Sequence, residues 1–112
     1  MKKRFRLTKT SDFKRVRRLG KALPHPLLVF LYLPNQTGEI KIGVTAGKAV
    51  GNAVARNRAK RLLRAGIVSQ LPLLQPGYDI ILIARKPILE VKSPQVHQTL
   101  KQLLLKAKLL QT

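Results

Sequence analysis

The segment of clearest chemical character is a run of cations between residues 56 and 64. Five lysines or arginines fall within these nine residues, and the segment contains no acid. On a helix that turns about 100° per residue, Arg56, Lys60 and Arg64 form one ridge, and Asn57 and Arg61 extend its polar side. Like charges one turn apart destabilise a helix by roughly 0.2–0.5 kcal/mol per pair. The pattern therefore predicts a site for a polyanion, with a solvated surface kept for solubility as the alternative.

The residue types in and before this segment favour RNA as the polyanion. Arginine offers a planar fork of donors that matches phosphate, and Asn57 can both donate to and accept from a ribose 2′-hydroxyl or a base edge. Gly47, Gly51 and Asn52 leave room for backbone N–H groups to meet a phosphate at the helix start. The chain has no helix-turn-helix, zinc-finger or basic-zipper pattern, so we expect no DNA partner.

The charge of the whole chain agrees with a polyanionic partner. The 112 residues include 23 Lys and Arg against 4 Asp and Glu, a net charge of +19. Such an excess points to nucleic acid or to an anionic membrane. Membrane binding needs a bulky apolar helix face, whereas Ala55, Ala59 and Gly66 make this one small. The apolar runs are too short to span a bilayer and no signal-peptide core follows the N-terminus, so we expect a soluble cytoplasmic protein.

We predict neither a catalytic residue nor a metal ligand in the protein. A metal-dependent nuclease site needs clustered carboxylates. The four acids lie on four different predicted elements: Asp12, Glu39, Asp79 and Glu90. We interpret Asp12 as a helix-start charge and Asp79 as a strand-edge residue. His25 and His97 have no second histidine at ligand spacing, and the chain has no cysteine.

The elements that must position these residues predict an α+β fold. Helices are expected over residues 10–19, 52–71 and 95–110, and strands over 27–33, 40–46 and 78–84. Thr10 or Ser11 and the pair Ser93-Pro94 are expected to start the first and last helices, and Gly51 and Asn52 the middle one. The short loop 34–38 predicts an antiparallel hairpin, and the apolar run 78–84 predicts a central strand. Residues 1–112 are expected to form one domain, a small sheet packed with helices in an α-β sandwich.

Three aromatic residues have two interpretations. Phe13, Phe30 and Tyr32 are either core residues or a partly exposed platform on which bases stack, each stack contributing about 1–3 kcal/mol. Tyr32 is the best candidate for exposure, because its hydroxyl needs a polar partner.

Residues 43–64, GVTAGKAVGNAVARNRAKRLLR, closely resemble the signature of the bacterial ribonuclease P protein subunit, with its R-N-R core at Arg56, Asn57 and Arg58. The runs RLTKTSDFKRV and GYDIILIARKP and the strand around Phe30 and Tyr32 follow in the family's order and spacing, so the resemblance covers nearly the whole chain. One departure is Arg17, which stands where an aromatic residue is common.

The resemblance implies a protein that assists a catalytic RNA in removing the 5′ leader of precursor tRNA. Hydrolysis would be performed by Mg²⁺ ions held in the RNA, with no cofactor bound by the protein. The implied partners are the ribonuclease P RNA and precursor tRNA. The implied contacts to the catalytic RNA are Lys48, Asn52, Arg56, Asn57, Arg58, Lys60, Arg61 and Arg64. The implied contacts to the leader, in a cleft between the first helix and the sheet, are Phe13, Val16, Phe30, Tyr32 and Lys86.

The resemblance also implies a topology. The order would be α-β-β-β-α-β-α, of the ribosomal protein S5 domain 2-like class with a small mixed sheet, and the extra short strand would lie near residues 21–23. Two parallel strands would be joined around the R-N-R helix by a left-handed crossover, against the general preference. The alternative is a non-enzymatic RNA-binding protein of the ribosomal type, which would bind ribosomal RNA and leave tRNA maturation unaffected.

Overall fold

A computed structural model describes residues 1–111 of the chain. Within this range three α-helices and four β-strands follow in the order α1 Thr10–Leu19, β1 Lys21–Pro24, β2 Leu28–Pro34, β3 Ile40–Ala46, α2 Ala53–Val68, β4 Tyr78–Ala84 and α3 Ser93–Lys106. The strands form one mixed sheet in the order β1-β2-β4-β3. The predicted α+β class and the central position of β4 are confirmed. None of the helices within residues 1–111 combines the length and apolarity needed to cross a membrane.

The predicted antiparallel hairpin of β2 and β3 is wrong, because β4 lies between them. β4 is antiparallel to β2 and parallel to β3. The connecting loop passes the start of β4, where Asn35 N–H donates to the Gly77 carbonyl at 2.8 Å and Gly77 N–H donates to the Glu39 carbonyl at 3.0 Å. A few residues at about 3.3 Å each span two strand spacings of about 4.8 Å. Loop length therefore does not distinguish a hairpin from this arrangement.

The crossover from β3 through α2 to β4 is left-handed. The Ile42 side chain lies in the core that includes α2 and α3, and the Ile42 carbonyl accepts from Leu7 N–H at 2.9 Å on the edge away from β4. Consider a strand of L-residues that runs upward. A residue whose side chain points toward the viewer has its N–H and C=O pointing to the right. Seen from α2, β4 therefore lies to the left of β3, which is the rare sense of a parallel crossover.

The N-terminal cap agrees with the sequence prediction for α2 and differs for the other two helices. The Asn52 Oδ1 caps α2 by accepting from Ala55 N–H at 2.9 Å. The predicted caps Thr10 and Ser11 lie inside the first turn of α1, which follows Lys9 without a side-chain cap. Ser93 is likewise the first residue of α3 rather than its cap.

Two helices are shorter than predicted. α2 ends at Val68, before a 3₁₀ turn over Leu71–Leu73. α3 ends at Lys106, because Lys108 adopts a left-handed φ of 61° and turns the chain back. The returning segment places Leu110 beside Leu74, which buries both.

Helices cover both faces of the sheet and give three layers. On one face, Phe30, Ile42 and Ile80 pack with residues of α2 and α3. On the other face, Leu31 and Ile81 pack with Val16 of α1 and with Leu7. Side chains of neighbouring positions in a strand point to opposite faces, so β2 and β4 contribute to both cores.

Candidate nucleic-acid interface

One side of α2 is packed in the core, and the cationic residues lie on the other side, which faces outward. Ala59, Leu63 and Ile67 are fully buried. At Gly66, an added Cβ would lie 2.6 Å from Leu100 Cδ1, so α2 and α3 approach closely there. This contact and the packing of α2 on the sheet set the rotation of α2 about its axis and direct the opposite residues to the surface.

The residues opposite this packed side define what we call the α2 crest, which comprises Val54, Asn57, Arg58, Arg61 and Arg64. Asn57, Arg58 and Arg61 are exposed and Arg64 is half-buried. Val54 is 74% exposed, the highest value among the large apolar residues. Four of the five line a shallow hollow of about 360 Å³, which Arg58 does not border. The α2 crest therefore offers phosphate donors around one apolar contact.

The predicted ridge does not coincide with the α2 crest. Arg56 and Lys60 are half-buried and lie at the margin of the packed side of α2. The Arg56 Nε is buried without a hydrogen-bond partner. Of the ridge residues, Arg64 alone belongs to the α2 crest.

The other two predicted contacts lie before α2. Lys48 is exposed in a 3₁₀ turn. Asn52 is exposed, but its Oδ1 is used as the helix cap. Gly51 between them has a φ of 144°, a conformation that side chains rarely adopt, so a glycine is required at this bend.

On the opposite face of the sheet, the side chains of α1 fall on two sides of Val16. Val16 is the buried residue of α1 and points at the sheet. Asp12, Arg15 and Leu19 lie to one side of it. Phe13 lies to the other side, over Gly43, where an added Cβ would meet the Phe13 ring at 2.5 Å. Helical spacing places Arg17 beside Phe13.

The trough beside Asp12 is a pocket of about 680 Å³ that contains a buried carboxylate. Asp79, predicted at a strand edge, lies on the central strand and is 3% exposed. It accepts hydrogen bonds from the Arg15 guanidinium and from Asn35 Nδ2. Hydrogen bonding to Asp79 raises the pKa of Arg15 above its usual value. Asp12, in the first turn as predicted, accepts from the same guanidinium at 3.2 Å.

The sheet surface on the Phe13 side of α1 is here called the α1 groove, and we define it by Phe13 and Arg17 of α1 and by Val29, Thr45 and Ile83 of the sheet. Thr45, Ile83 and Val29 are register partners across β3, β4 and β2, and all three are half-buried. Arg17 is exposed on the wall of the groove. The groove therefore combines an apolar floor with a cationic wall.

The five predicted leader contacts do not lie together in the structure. Phe13 lies in the α1 groove, and Lys86 is exposed in the turn that follows β4. Val16 is fully buried beneath α1. Phe30 and Tyr32 lie on the opposite face of the sheet, where Phe30 is fully buried and its ring centroid is 5.8 Å from that of Tyr32. The cause is strand alternation, since α1 covers the face to which Val29 and Leu31 point.

Sequence reasoning missed Val54, the Asp79 network and the floor of the α1 groove. A signal for Asp79 exists, because a carboxylate inside the apolar run 78–84 must be paired if it is buried. Residues 1–111 contain no group of three or more His, Asp or Glu side chains placed to hold a metal ion.

Comparisons with known proteins agree with this geometry. A family model described as Ribonuclease P matches residues 1–108. The chain is 39% identical to the ribonuclease P protein component of Bacillus velezensis, over 97% of this chain and 94% of the relative. It is 37% identical to that of Symbiobacterium thermophilum, over 99% of this chain and 97% of the relative.

Solved structures show the same fold. The RNase P protein of Staphylococcus aureus superposes with a TM-score of 0.84 at 29% identity, over 95% of this chain and 97% of that one. The RNase P protein of Thermotoga maritima superposes with a TM-score of 0.79 at 29% identity, over 88% of this chain and 94% of that one. The family model, the relatives and the shared fold lead to one conclusion: the chain belongs to the ribonuclease P protein family.

Proposed function

We propose that this chain is the protein component of ribonuclease P, which assists a catalytic RNA in removing the 5′ leader of precursor tRNA. Family membership over residues 1–108 supports the tRNA-processing role. The observation that carries the mechanism is the α2 crest, where Arg58 and Arg61 are exposed and Arg64 is half-buried on a helix without acids. Such a row binds RNA phosphates and leaves bond cleavage to its partner, whose bound Mg²⁺ ions supply the hydrolytic chemistry.

The catalytic RNA is proposed to bind along α2 and the turn before it. Arg58, Arg61 and Arg64 donate to phosphates, and Asn57 pairs with a ribose hydroxyl or a base edge. Lys48 and the Asn52 amide extend this surface past the start of the helix. Arg56 and Lys60 flank the α2 crest and add charge from its margin.

The leader is proposed to bind in the α1 groove as an extended single strand. Phe13, Val29 and Ile83 give bases an apolar floor, and Arg17 and Lys86 hold the backbone phosphates. Arg17 replaces a common aromatic, so this groove depends more on phosphate contacts than on stacking. Phe30, Tyr32 and Val16 support the sheet beneath it.

The protein contributes binding energy, not a nucleophile. A leader and a catalytic RNA repel each other, and a protein of charge +19 between them lowers this repulsion. High Mg²⁺ performs the same screening, so the benefit of the protein is largest when Mg²⁺ is scarce.

Reconstitution tests this function. The chain is added to a bacterial ribonuclease P RNA at low Mg²⁺, and leader removal from a precursor tRNA is followed by gel electrophoresis. We expect faster cleavage with the chain than with the RNA alone, and no cleavage by the chain without the RNA. Cleavage by the protein alone would refute an RNA-based centre, and tight binding to ribosomal RNA without any effect on leader removal would favour the ribosomal-type alternative.

A further inference from the structure

We propose that Asp79 is a positioning residue for leader binding, because its contacts with Arg15 and Asn35 fix the place of α1 and thereby the width of the α1 groove. This inference rests on the proposed leader role of that groove. It concerns a side chain on the far side of α1, which does not line the groove itself.

Both carboxylate oxygens of Asp79 are used. Oδ2 accepts from Arg15 Nη2, and Oδ1 accepts from Asn35 Nδ2 at 3.0 Å. The Asp79 side chain is 4% exposed, whereas that of Arg15 is 36% exposed. The carboxylate therefore belongs to the sheet, and Arg15 reaches from α1 into the sheet to meet it.

The Arg15–Asp79 contact is important for the position of α1, because few residues of this helix are buried against the sheet. Val16 is the one buried residue among the ten of α1. Phe13, on the groove side, is half-buried. The Arg15–Asp79 pair is the polar attachment on the side away from the groove, so it determines how far α1 tilts toward that side.

Asn35 extends the attachment to the loop between β2 and β3. Its Nδ2 also donates to the Glu39 carbonyl at 3.0 Å, and its Oδ1 accepts from Gly38 N–H at 3.2 Å. The loop thereby holds Asp79 in one orientation toward Arg15. Without the carboxylate charge, Arg15 is released and α1 is free to relax over the α1 groove.

The test is Asp79→Asn in the reconstituted holoenzyme, with dissociation constants measured for a precursor tRNA and for the matching tRNA without a leader. We expect the ratio of the two affinities to fall about three- to tenfold, a coupling typical of residues that act through a shared contact. Binding of the catalytic RNA through α2 is expected to stay unchanged. The substitution removes one negative charge and raises the net charge by one, which by itself would tighten RNA binding, so the expected direction is opposite to a bulk charge effect.

The matched control is Glu39→Gln, which makes the same charge change at an exposed carboxylate that pairs with the half-buried Lys41 on the same side of the molecule. We expect it to leave unchanged the ratio of the affinities for tRNA with and without a leader, which we call the leader ratio. Arg15→Gln should reproduce the effect of Asp79→Asn, and the double variant should lose no more than either single one. Asn35→Ala, which keeps the ion pair, should give a smaller loss and provides a test if Asp79→Asn does not fold.

Amide hydrogen exchange of the isolated chain separates positioning from general destabilisation. Positioning predicts faster exchange in α1 with α2 and α3 unchanged, whereas a merely structural role predicts faster exchange throughout. If Asp79→Asn keeps the full leader ratio while Arg17→Ala lowers it, the positioning role is overturned and the proposed function stands. If neither variant changes the ratio, the leader does not bind in the α1 groove.

Discussion

The two arginines of the R-N-R core differ in their surroundings. Arg58 is exposed on the α2 crest, whereas Arg56 is half-buried and its Nε has no partner. A side chain that packs as well as carries charge contributes to both stability and binding. The sequence pattern places Arg56 on the predicted ridge and Arg58 off it, whereas in the structure the more exposed of the two is Arg58.

Replacing Arg58 should therefore affect RNA binding alone. For Arg58→Ala we expect an affinity for the catalytic RNA lower by about three- to tenfold and a salt slope smaller by about one, as for the loss of one phosphate contact. Titrations at several salt concentrations measure both, and circular dichroism should show an unchanged fold. Lys101→Ala, an exposed cation on α3, is the control. Equal losses for both variants would argue against a site on α2.

At the level of secondary-structure elements, local patterns predicted more than tertiary pairing did. The bounds of α1, β3 and β4 were predicted from residue types, because apolar periodicity and Gly or Pro punctuation act within a few residues. The neighbours of β2 were not, because pairing across the sheet depends on a loop that fits two arrangements equally well.

The candidate site shows the same limit. The α2 cations were found because they lie close together in sequence. The predicted leader contacts lie on different faces of the sheet, because neighbouring side chains of β2 point to opposite faces. The sequence does not indicate which of these faces α1 covers. Helical spacing placed Arg56 on a ridge, but the packing of α2 against the sheet and α3 sets the rotation that moves it to the margin.

The junction of α1 and β1 gives a test at this level. At Gly20, an added Cβ would lie 2.5 Å from the Val16 carbonyl oxygen and 2.8 Å from that of Tyr32. Both are backbone atoms, so we expect Gly20→Ala to lower the free energy of unfolding by about 1–3 kcal/mol. Thermal denaturation measures the change. Gly47→Ala is the control, because nothing lies within 4 Å of its added Cβ. Equal stability of the two variants would contradict the close approach of α1 to β2.

For the molecule as a whole, electrostatics should dominate RNA affinity. If the α2 crest and its flanks meet about five phosphates, raising salt from about 50 to about 200 mM should weaken binding of the catalytic RNA about 500-fold. Plotting the logarithm of the association constant against that of the salt concentration measures the slope. A flat plot would refute the phosphate mechanism.

Because helices cover both faces of the sheet, the fold also sets the distance between the α2 crest and the α1 groove. The α2 crest and the α1 groove lie on opposite sides of three layers, and layers of this kind are spaced by about 10 Å. If the catalytic RNA and the leader bind as proposed, their phosphates are more than one Debye length apart, which is about 8 Å in physiological salt. The protein then acts as a rigid spacer between the leader and the catalytic RNA. A thinner protein with the same cations would bring the two RNAs close enough to repel each other.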